Sequence, residues 1–447
     1  MKKKKPEKNL LYFVLGLGRT GLAAIHWLQQ QGNTSIMAWD DQPAARAQAQ
    51  SLGVQVTTQV PWSTVLACVQ SPGISPDHPL SLKAVAAGAF IITDFDLFNL
   101  HYPNFSTIGI TGTNGKSTTA ALMHHALQSA GWPTLLGGNI GTPVLSLDPT
   151  NMQWGVWELS SYQLELSASL DLDVAVWLNL EPDHLERHKT MEAYKAAKSK
   201  IFQGVKWGAV LGVDDPYLNY ISKTIHDVPV IPISVKQEVG IYSKDGWLVD
   251  TIFANGKRVL CLDDYPRLRG EHNHQNIAAV YAVSRLLGLP VETIAQGIAS
   301  FPGLQHRQQW VRQIGDIVFI NDSKGTNVDA TARALACFDD IYWILGGIAK
   351  TQGLEALMEY FPKVRHAFLI GEAQESFAKV LDGSVEYTKC GTMNVAVAEA
   401  YVHAKLASSK AVVLLSPACA SFDQYPNFEV RGDDFCALVQ GLEGQLS

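Results

Sequence analysis

Apolar and polar residues alternate along the chain in two patterns. Short apolar runs, such as residues 10–16 and 154–159, are rich in β-branched and aromatic side chains and predict buried strands. Longer stretches with apolar residues at helical spacing, such as 22–31 and 117–130, predict helices that pack one face against a sheet. Because strands and helices follow each other in turn, we expect parallel sheets with crossover helices and an α/β fold.

The predicted elements fall into three consecutive segments. Their strands lie at 10–16, 36–40, 65–69 and 90–93, then at 107–111, 154–159 and 174–180, and finally at 316–321, 342–346, 367–371 and 412–416. Turn-rich stretches near 101–104 and 301–303 separate the segments. We therefore expect three domains: an N-terminal Rossmann-like domain (1–103), a central P-loop ATPase-like domain (104–303) and a C-terminal Rossmann-like domain (304–447).

A small antiparallel insertion is predicted inside the central domain, at 241–262. Asp245-Gly246 and Asn255-Gly256 stand between short apolar runs there, and both dipeptides favour tight hairpin turns.

Composition limits the classes of partner. The 447 residues include 35 Lys and Arg against 42 Asp and Glu, which gives a net charge of −7. An acidic chain argues against nucleic acid or an anionic membrane as the main partner, so any polyanion must bind at a local site.

The six cysteines are scattered without a CxxC pair, which favours a reducing cytoplasm. We expect a monomer.

The N-terminus resembles a signal peptide, because Lys2 to Lys5 precede an apolar stretch at 10–18. We favour a solvated terminus over that alternative, since Arg19 ends the stretch and no small-residue cleavage pattern follows. No apolar run reaches the ~18 residues that span a bilayer, so we expect no membrane insertion.

The first glycine loop runs from Gly16 through Gly18, Arg19 and Thr20 to Gly21, between a predicted strand and a helix. Asp40 ends the next strand, as the dinucleotide fingerprint requires. Three interpretations remain open from this motif: NAD binding, binding of another nucleotide diphosphate, and a purely structural turn.

The second glycine loop, Thr111-Gly112-Thr113-Asn114-Gly115-Lys116-Ser117-Thr118, also joins a strand to a helix. It is shorter than a standard P-loop, because Ile110 stands where the first glycine of that motif belongs. Backbone N–H groups, Lys116 and a Ser117 or Thr118 hydroxyl suit a triphosphate with Mg²⁺. We therefore predict ATP binding, with an accidental polar turn as the alternative.

Several further motifs follow predicted strands. They are Gly137-Gly138-Asn139-Ile140-Gly141, Glu158-Leu159-Ser160-Ser161, Asn179-Leu180-Glu181-Pro182-Asp183-His184, Asn321-Asp322-Ser323-Lys324-Gly325-Thr326-Asn327 and Ser416-Pro417-Ala418-Cys419-Ala420-Ser421-Phe422-Asp423-Gln424. Read with the second glycine loop, this set resembles the Mur ligases over about residues 10–440.

The resemblance implies an ATP-dependent ligase of peptidoglycan precursor synthesis. In that reaction ATP phosphorylates the carboxylate of UDP-N-acetylmuramoyl-L-alanine, and the amine of D-glutamate attacks the acyl phosphate, giving an amide, ADP and phosphate. Activation is needed because a carboxylate is a poor electrophile, and Lys116 with bound Mg²⁺ disperses the charge of the transferring phosphoryl group.

The resemblance also implies roles for individual residues. ATP contacts fall on Gly112, Thr113, Asn114, Gly115, Lys116, Ser117, Thr118, Asn273, Asn276, Arg307 and Asp322, with His306 beside Arg307. UDP-sugar contacts fall on Gly18, Arg19, Thr20, Asp40, Ser71, Gly73, Asn139, Ser160 and His184. D-Glutamate contacts fall on Thr326, Lys350, Ser421 and Phe428. The implied ligands of two Mg²⁺ sites are Ser117, Glu158, His184 and Lys198, and the implied catalytic residues are Lys116, His184, Lys198 and Lys324.

Some of these roles have a simpler alternative. Glu158 has the alternative of a solvated loop carboxylate, and Asn273 that of a helix N-cap. Lys198 reads by itself as a solvated lysine on the helix predicted at 191–202, whereas the resemblance implies that CO₂ carbamylates it to give an anionic metal ligand. Ile348-Ala349, just before Lys350, departs from the family pattern, so a differently shaped glutamate loop is expected.

Other functions remain as alternatives. A nicotinamide dehydrogenase accounts for the first glycine loop but not for the second. A P-loop GTPase lacks its guanine-reading Asn-Lys-x-Asp motif in this chain. The nearest alternative is a ligase of the same family that adds another amino acid.

Overall fold

The computed structural model describes residues 11–168, 170–349, 353–407 and 410–442. These residues form two compact units. One comprises the described residues up to Asp264 together with His272–Ser300, and the other comprises Tyr265–Glu271 and the described residues from Phe301 onward. The predicted α/β class is confirmed.

A five-stranded parallel sheet opens the first unit. Its strands are β1 (Leu11–Leu15), β2 (Ile36–Trp39), β3 (Gln55–Val56), β4 (Val65–Gln70) and β5 (Phe90–Ile92). Its helices are α1 (Arg19–Gln30), α2 (Pro43–Ser51), α3 (Pro79–Ala86) and α4 (Asp94–His101). The strand order is β3-β2-β1-β4-β5. Strands are added on one side of β1 up to β3 and on its other side from β4 onward, so the order of addition changes sides between β1 and β4 while the strands stay parallel. Open α/β sheets bind ligands at such a switch point.

A nine-stranded sheet completes the first unit. Its strands are β6 (Ser106–Thr111), β7 (Thr134–Gly138), β8 (Trp154–Glu158), β9 (Val174–Trp177), β10 (Gly208–Gly212), β11 (Val230–Ser234), β12 (Ile241–Lys244), β13 (Trp247–Asp250) and β14 (Lys257–Cys261). Its helices are α5 (Lys116–Ser129), α6 (Ser161–Leu166), α7 (Leu185–His188), α8 (Met191–Ser199), α9 (Pro216–Ser222), α10 (Glu271–Leu286) and α11 (Val291–Ala299). The order is β14-β13-β12-β11-β10-β9-β6-β8-β7.

The predicted antiparallel insertion is present, and it extends this sheet. β12 pairs with β11 in parallel, whereas β12, β13 and β14 pair antiparallel. Asp245 and Gly246 both have positive φ, 51° and 74°, as the tight turn between β12 and β13 requires.

Aromatic side chains of α4 join the two sheets of the first unit in one core. Phe98 lies 5.5 Å and Phe95 6.2 Å from the ring of Trp157 on β8, in edge-to-face orientation. Such pairs contribute about 0.5–1.5 kcal/mol each beyond the area they bury. The shared core fixes the carboxyl edges of both sheets relative to each other.

The second unit contains a six-stranded sheet and a two-stranded one. The strands are β15 (Gln309–Ile314), β16 (Ile317–Asn321), β17 (Ile341–Gly346), β18 (Ile348–Ala349), β19 (Val364–Ile370), β20 (Tyr387–Gly391), β21 (Ala411–Leu415) and β22 (Cys419–Ala420). The helices are α12 (Val328–Ala336), α13 (Gln374–Leu381), α14 (Met393–Lys405) and α15 (Phe428–Gly441), with a 3₁₀ helix at Leu354–Lys363. The larger sheet has the order β15-β16-β21-β17-β19-β20.

Both faces of the six-stranded sheet are covered by apolar cores. Along β17, Trp343 and Leu345 point into one core, and Tyr342 and Ile344 point into the other. This two-residue alternation buries a strand on both faces, which explains why it appears in the sequence as a continuous apolar run.

Some strands of the structure were not predicted from the sequence. β7, β10 and β20 contain glycine or polar residues that are depleted in strands, and their sheet neighbours supply the pairing.

No described helix is long and apolar enough to cross a membrane. All six cysteines are unpaired.

Candidate active site

The first glycine loop borders a cavity of about 490 Å³ at the switch point of the five-stranded sheet. Gly16 has a φ of +88°, and a side chain at Gly21 would come within 1.9 Å of the Gly16 carbonyl oxygen. Both glycines are therefore needed for the close turn between β1 and α1. Both carboxylate oxygens of Asp40 accept backbone N–H groups, from Leu17 at 2.6 Å and Gln42 at 2.8 Å.

Most of the residues expected to contact a UDP-sugar lie together at this cavity. They are Gly18, Arg19, Thr20, Asp40, Ser71, Gly73 and Asn139. Ser160 lies outside this lining and caps α6 instead, since its hydroxyl accepts the Gln163 N–H. Gln163 itself does line the cavity, which the sequence reading missed.

The second glycine loop joins β6 to α5. Gly115 has a φ of +81°, and a side chain there would lie 2.4 Å from the Asn276 amide oxygen. The Lys116 ammonium folds back over the loop and donates to the carbonyl oxygens of Gly112 at 2.9 Å and Thr113 at 2.8 Å. Ser117 lies buried in the first turn of α5. Backbone N–H groups at the N-terminus of this helix and the Lys116 ammonium suit a phosphate group.

A segment after β9 holds this loop in place. The Asn179 side chain accepts the Asn114 N–H at 2.8 Å and donates to the Asn114 carbonyl at 3.2 Å. Glu181 accepts a hydrogen bond from the Asn114 amide at 2.6 Å. Asn179 belongs to one of the motifs that follow predicted strands, but no role was predicted for it. Its position directly after a buried strand was the available signal.

Lys198 is almost completely buried at 1 % exposure, so the interpretation as a solvated lysine is wrong. Its amine donates to the Thr111 hydroxyl at 3.2 Å and to the Gly112 carbonyl at 2.8 Å. Burial, and then the Lys116 charge, lower the pKa of Lys198 well below its ordinary value, against the opposing effect of Asp183 and Glu158. The surroundings of Lys198 therefore favour the neutral amine over the ammonium.

Glu158 ends β8 and is also 1 % exposed, which excludes the alternative of a solvated carboxylate. Oε1 accepts a hydrogen bond from the Asn139 amide at 2.7 Å, whereas Oε2 is buried without a hydrogen-bond partner. A buried carboxylate oxygen without a partner is costly, and a cation would compensate it. Asn139 also lines the cavity of the first sheet, so it links that cavity to Glu158.

His184 lies on the loop between β9 and α7 with a φ of +55°, and its side chain is 44 % exposed. Its Nδ1 lies 3.1 Å from the Tyr162 hydroxyl, and its Nε2 lies 3.4 Å from Asp183. Neighbours on both ring nitrogens fix the direction of the imidazole.

Among the described residues, no three His, Cys, Asp or Glu side chains converge well enough to hold a metal ion by themselves. The donors present nevertheless suit Mg²⁺, which binds through one or two carboxylates together with substrate phosphates and water. The unpartnered Oε2 of Glu158 is the observation that supports this fit.

Asn273 and Asn276 lie inside α10 and are buried. The Asn276 amide donates to Asn273 at 3.0 Å and accepts from the Thr119 hydroxyl at 3.0 Å. Asn273 is therefore not the N-cap of this helix, and Asn276 holds the first turn of α5 next to Gly115.

In the second unit, Asp322 and Lys324 follow β16. Burial raises the pKa of Asp322 to about 7, although its carboxylate accepts the Ser416 hydroxyl at 2.7 Å. The Lys324 ammonium lies 3.9 Å from the centre of the Phe428 ring, a cation–π contact. Thr326 donates its N–H to the Lys324 carbonyl.

The other predicted residues of this unit occupy neighbouring loops. Ser421 is buried directly after β22. Arg307 lies in a turn closed by a bridge to Leu304, and the His306 before it is buried against Gly432 of α15. Lys350 lies outside the described residues.

Ile348 and Ala349, the two residues that depart from the family pattern, form a short strand. Ile348 and Ala349 form β18, which pairs antiparallel with Cys419 and Ala420 of β22. The loop before Lys350 is therefore tied to the segment that carries Ser421.

Arg431 on α15 was missed by the sequence reading. It is 1 % exposed, and its guanidinium donates to the Ser323 hydroxyl, the Ser323 carbonyl and the Cys419 carbonyl at 3.0, 2.8 and 3.2 Å. Burial lowers the pKa of Arg431 to about 10. It holds the loops of Lys324 and Ser421 together. No local signal marks this role, because all its partners are distant in sequence.

Comparison with known proteins identifies relatives over nearly the whole chain. Residues 110–284 match the family model of the Mur ligase middle domain. A UDP-N-acetylmuramoylalanine–D-glutamate ligase of Phenylobacterium zucineum is 44% identical, covering 97% of this chain and 96% of that protein. The ligase of the same name from Paramagnetospirillum magneticum is 45% identical over 98% and 97%.

Solved structures share the fold at low sequence identity. A UDP-N-acetylmuramate-alanine ligase from Thermotoga maritima has a TM-score of 0.58 at 18% identity, covering 97% of this chain and 99% of that one. The UDP-N-acetylmuramoylalanyl-D-glutamyl-2,6-diaminopimelate–D-alanyl-D-alanyl ligase of Acinetobacter baumannii has a TM-score of 0.60 at 17% identity, covering 95% and 93%.

Proposed function

The chain belongs to the Mur ligase family, and we propose that it is the ligase that joins D-glutamate to UDP-N-acetylmuramoyl-L-alanine in peptidoglycan precursor synthesis. The observation that carries this proposal is the 44% identity to D-glutamate ligases over 97% of the chain. The reaction consumes ATP and gives ADP and phosphate. We assign it to a monomer in the cytoplasm.

The second glycine loop binds the ATP phosphates in this proposal. The Lys116 ammonium exchanges its two loop carbonyls for phosphate oxygens, which are better partners for a cation. The remaining contacts follow the family pattern: the loop from Gly112 to Thr118, with Asn273, Asn276, Arg307 and Asp322. The support is geometric for the loop, where the predicted residues surround a helix N-terminus.

Ser117, Glu158, His184 and Lys198 would hold Mg²⁺ in two sites. The metal supplies charge neutralisation for the transferring phosphoryl group. The buried Oε2 of Glu158 and the oriented ring of His184 support these assignments.

Lys198 acts as a carbamate. Its neutral amine attacks CO₂, forming an N–C bond and releasing one proton, so the buried side chain ends in a carbamate anion near the Thr111 hydroxyl. The burial of this lysine supports the step, because only a neutral amine attacks CO₂.

The UDP-sugar occupies the cavity of the first sheet, with its diphosphate at the start of α1. Gly18, Arg19, Thr20, Ser71, Gly73 and Asn139 provide N–H groups and side chains there. Asp40 keeps the glycine loop closed, since both its oxygens already accept backbone N–H groups. Each carboxylate oxygen keeps a second lone pair, so Asp40 also remains a proposed contact of the UDP-sugar. Ser160 and His184 remain proposed contacts of the sugar part of the substrate, although neither lines this cavity.

D-Glutamate binds beside β16 and β22. Its two carboxylates require cations and hydroxyl donors, which Lys324, Lys350, Thr326 and Ser421 provide, with Phe428 as the apolar wall. The cation–π contact to Phe428 holds the Lys324 ammonium in place. The amine of D-glutamate then attacks the acyl phosphate, the C–O bond to phosphate breaks, and the amine loses a proton.

A panel of amino acids tests the assignment within the family. Purified protein is incubated with ATP, Mg²⁺ and UDP-N-acetylmuramoyl-L-alanine, and the nucleotide product is identified by mass. Of the amino acids in the panel, only D-glutamate should give a new amide. An amide formed with L-glutamate or diaminopimelate, and none with D-glutamate, would assign the chain to a different ligase of the family.

A further inference from the structure

Arg187 on α7 connects two parts of the first unit that the proposed function uses separately. Its side chain is 12% exposed. The guanidinium Nη2 donates to the carbonyl oxygen of Ile74 at 2.9 Å. Ile74 lines the cavity of the first sheet, and it belongs to the loop that carries Ser71 and Gly73. Arg187, on a helix of the nine-stranded sheet, thus contacts a loop that lines the cavity of the five-stranded sheet.

The other contacts of Arg187 lead toward His184. Nε and Nη2 lie 3.0 and 2.9 Å from Oε2 of Glu165 on α6. The guanidinium also lies 5.0 Å from the ring centre of Tyr162, whose hydroxyl is 3.1 Å from Nδ1 of His184. A planar guanidinium can make these contacts together because its donors point in fixed directions within one plane.

The cavity loop does not need Arg187 for its own shape. The Gln70 amide also donates to the Ile74 carbonyl, at 3.1 Å, and the Ser71 hydroxyl donates to the Gly16 carbonyl at 2.8 Å. The Ile74 side chain packs against Gly16 of the glycine loop. Arg187 therefore adds only the connection to α6 and α7.

We infer that Arg187 is a positioning residue, which keeps the nucleotide cavity in register with Tyr162 and His184 so that a bound UDP-sugar presents its carboxylate to the phosphoryl group. The inference rests on the proposed function, in which one substrate spans the cavity and the His184 loop. Misplacing one end of such a substrate slows the chemical step, whereas the affinity of its UDP end depends only on the cavity.

Two ligands separate these effects. UDP alone fills the cavity, whereas UDP-N-acetylmuramoyl-L-alanine also reaches the His184 loop. In Arg187→Met, kcat with the full substrate should fall about 10- to 100-fold. The dissociation constant for UDP, measured by calorimetry on the same preparation, should stay within about twofold of wild type, because the cavity loop keeps its Gln70 and Ser71 hydrogen bonds.

Arg187→Lys is the second variant. A single ammonium keeps the charge but lacks the fork that spans Ile74 and Glu165, so kcat should fall in the same direction and by less, again with unchanged UDP affinity. If Arg187→Met does not fold, Arg187→Lys tests whether Arg187 is a positioning residue. Lys189→Met is the matched control, because it removes a cation directly after the same helix, where the Lys189 ammonium donates to the Glu186 carbonyl at 2.8 Å. Its kcat and UDP affinity should match wild type.

The inference is overturned if kcat stays within about twofold in the Arg187 variants, or if UDP affinity falls in parallel with kcat, which indicates a structural role in the loop. Failure of the proposed function is a separate result. In that case the wild-type protein itself shows no D-glutamate-dependent release of ADP.

Discussion

Lys116 and Lys198 donate hydrogen bonds to the same oxygen, the carbonyl of Gly112, at 2.9 and 2.8 Å. The two lysines come from α5 and α8 and meet at the second glycine loop. Burial penalises the charge on Lys198 and lowers its pKa, and repulsion from the nearby Lys116 ammonium lowers it further. Lys198 is therefore the lysine whose ammonium form this site disfavours.

Replacing Lys198 by Ala should abolish most of the activity. We expect kcat to fall by about 100-fold or more, because a proposed metal ligand is lost. Short carboxylates such as acetate or propionate should restore part of it by occupying the vacated space. With ¹³C-bicarbonate, wild-type protein should show a carbamate carbon signal in NMR spectra that is missing from the variant.

Lys195→Ala is the control for this experiment, because Lys195 lies on the same helix with its ammonium over the Tyr217 ring. It should keep wild-type turnover. Undiminished activity of Lys198→Ala would rule out the carbamate.

Glu158→Gln should raise the Mg²⁺ concentration needed for half-maximal turnover, by about 10- to 100-fold. The amide keeps an oxygen for the hydrogen bond from Asn139, so the fold is retained, but it offers the metal a weaker ligand at the buried Oε2 position. Asp148→Asn removes an exposed carboxylate of the same unit and should leave the Mg²⁺ titration unchanged. An unchanged titration in Glu158→Gln would remove Glu158 from the metal site.

Asp94→Asn should stabilise the protein at neutral pH. Burial raises the pKa of Asp94 to about 7, and its Oδ1 has no hydrogen-bond partner. A carboxyl group with a raised pKa in the folded state stabilises below its unfolded pKa of about 4, and this contribution is lost as the pH rises to about 7. The amide cannot ionise, so it avoids that loss.

Thermal unfolding at several pH values tests this. The Tm difference between Asp94→Asn and wild type should be near zero at pH 4 and grow up to pH 7. The corresponding difference in unfolding free energy should grow by at most about 1.4 kcal/mol per pH unit. A difference that does not change with pH would mean that Asp94 ionises in the folded state as readily as in the unfolded chain.

Arg431→Met should destabilise the second unit and weaken D-glutamate binding. The variant leaves the buried carbonyls of Ser323 and Cys419 without their donor, at a cost of about 1–3 kcal/mol each. The loops of Lys324 and Ser421 then lose their common support, so KM for D-glutamate should rise while KM for the UDP-sugar stays the same.

Arg365→Met provides the comparison, because the exposed pair of Arg365 with Asp340 contributes less than about 1 kcal/mol. Equal Tm values and equal KM for D-glutamate in both variants would show that Arg431 has no such role.

Local sequence features predicted the fold class and both glycine loops. Gly16 and Gly115 have the positive φ values that their motifs imply, and Asp245-Gly246 forms the expected turn. These features depend on nearest neighbours in the chain, so they are visible in the sequence. The division into three domains stays a prediction beside the two compact units.

Long-range contacts account for what the sequence did not reveal. The spacing of apolar residues left Lys198 on a solvated face, whereas the tertiary fold buries it beneath the second glycine loop. Asn179, Arg187 and Arg431 act on partners far away in the chain, so no local pattern marks them. The roles of the predicted site residues remain predictions that the variants above address.

The most direct test of the central claim is the release of ADP from ATP, measured with and without UDP-N-acetylmuramoyl-L-alanine and D-glutamate. The account predicts steady turnover only when both are present, with one amide formed per ADP released. Equal ADP release in the absence of both substrates would contradict it.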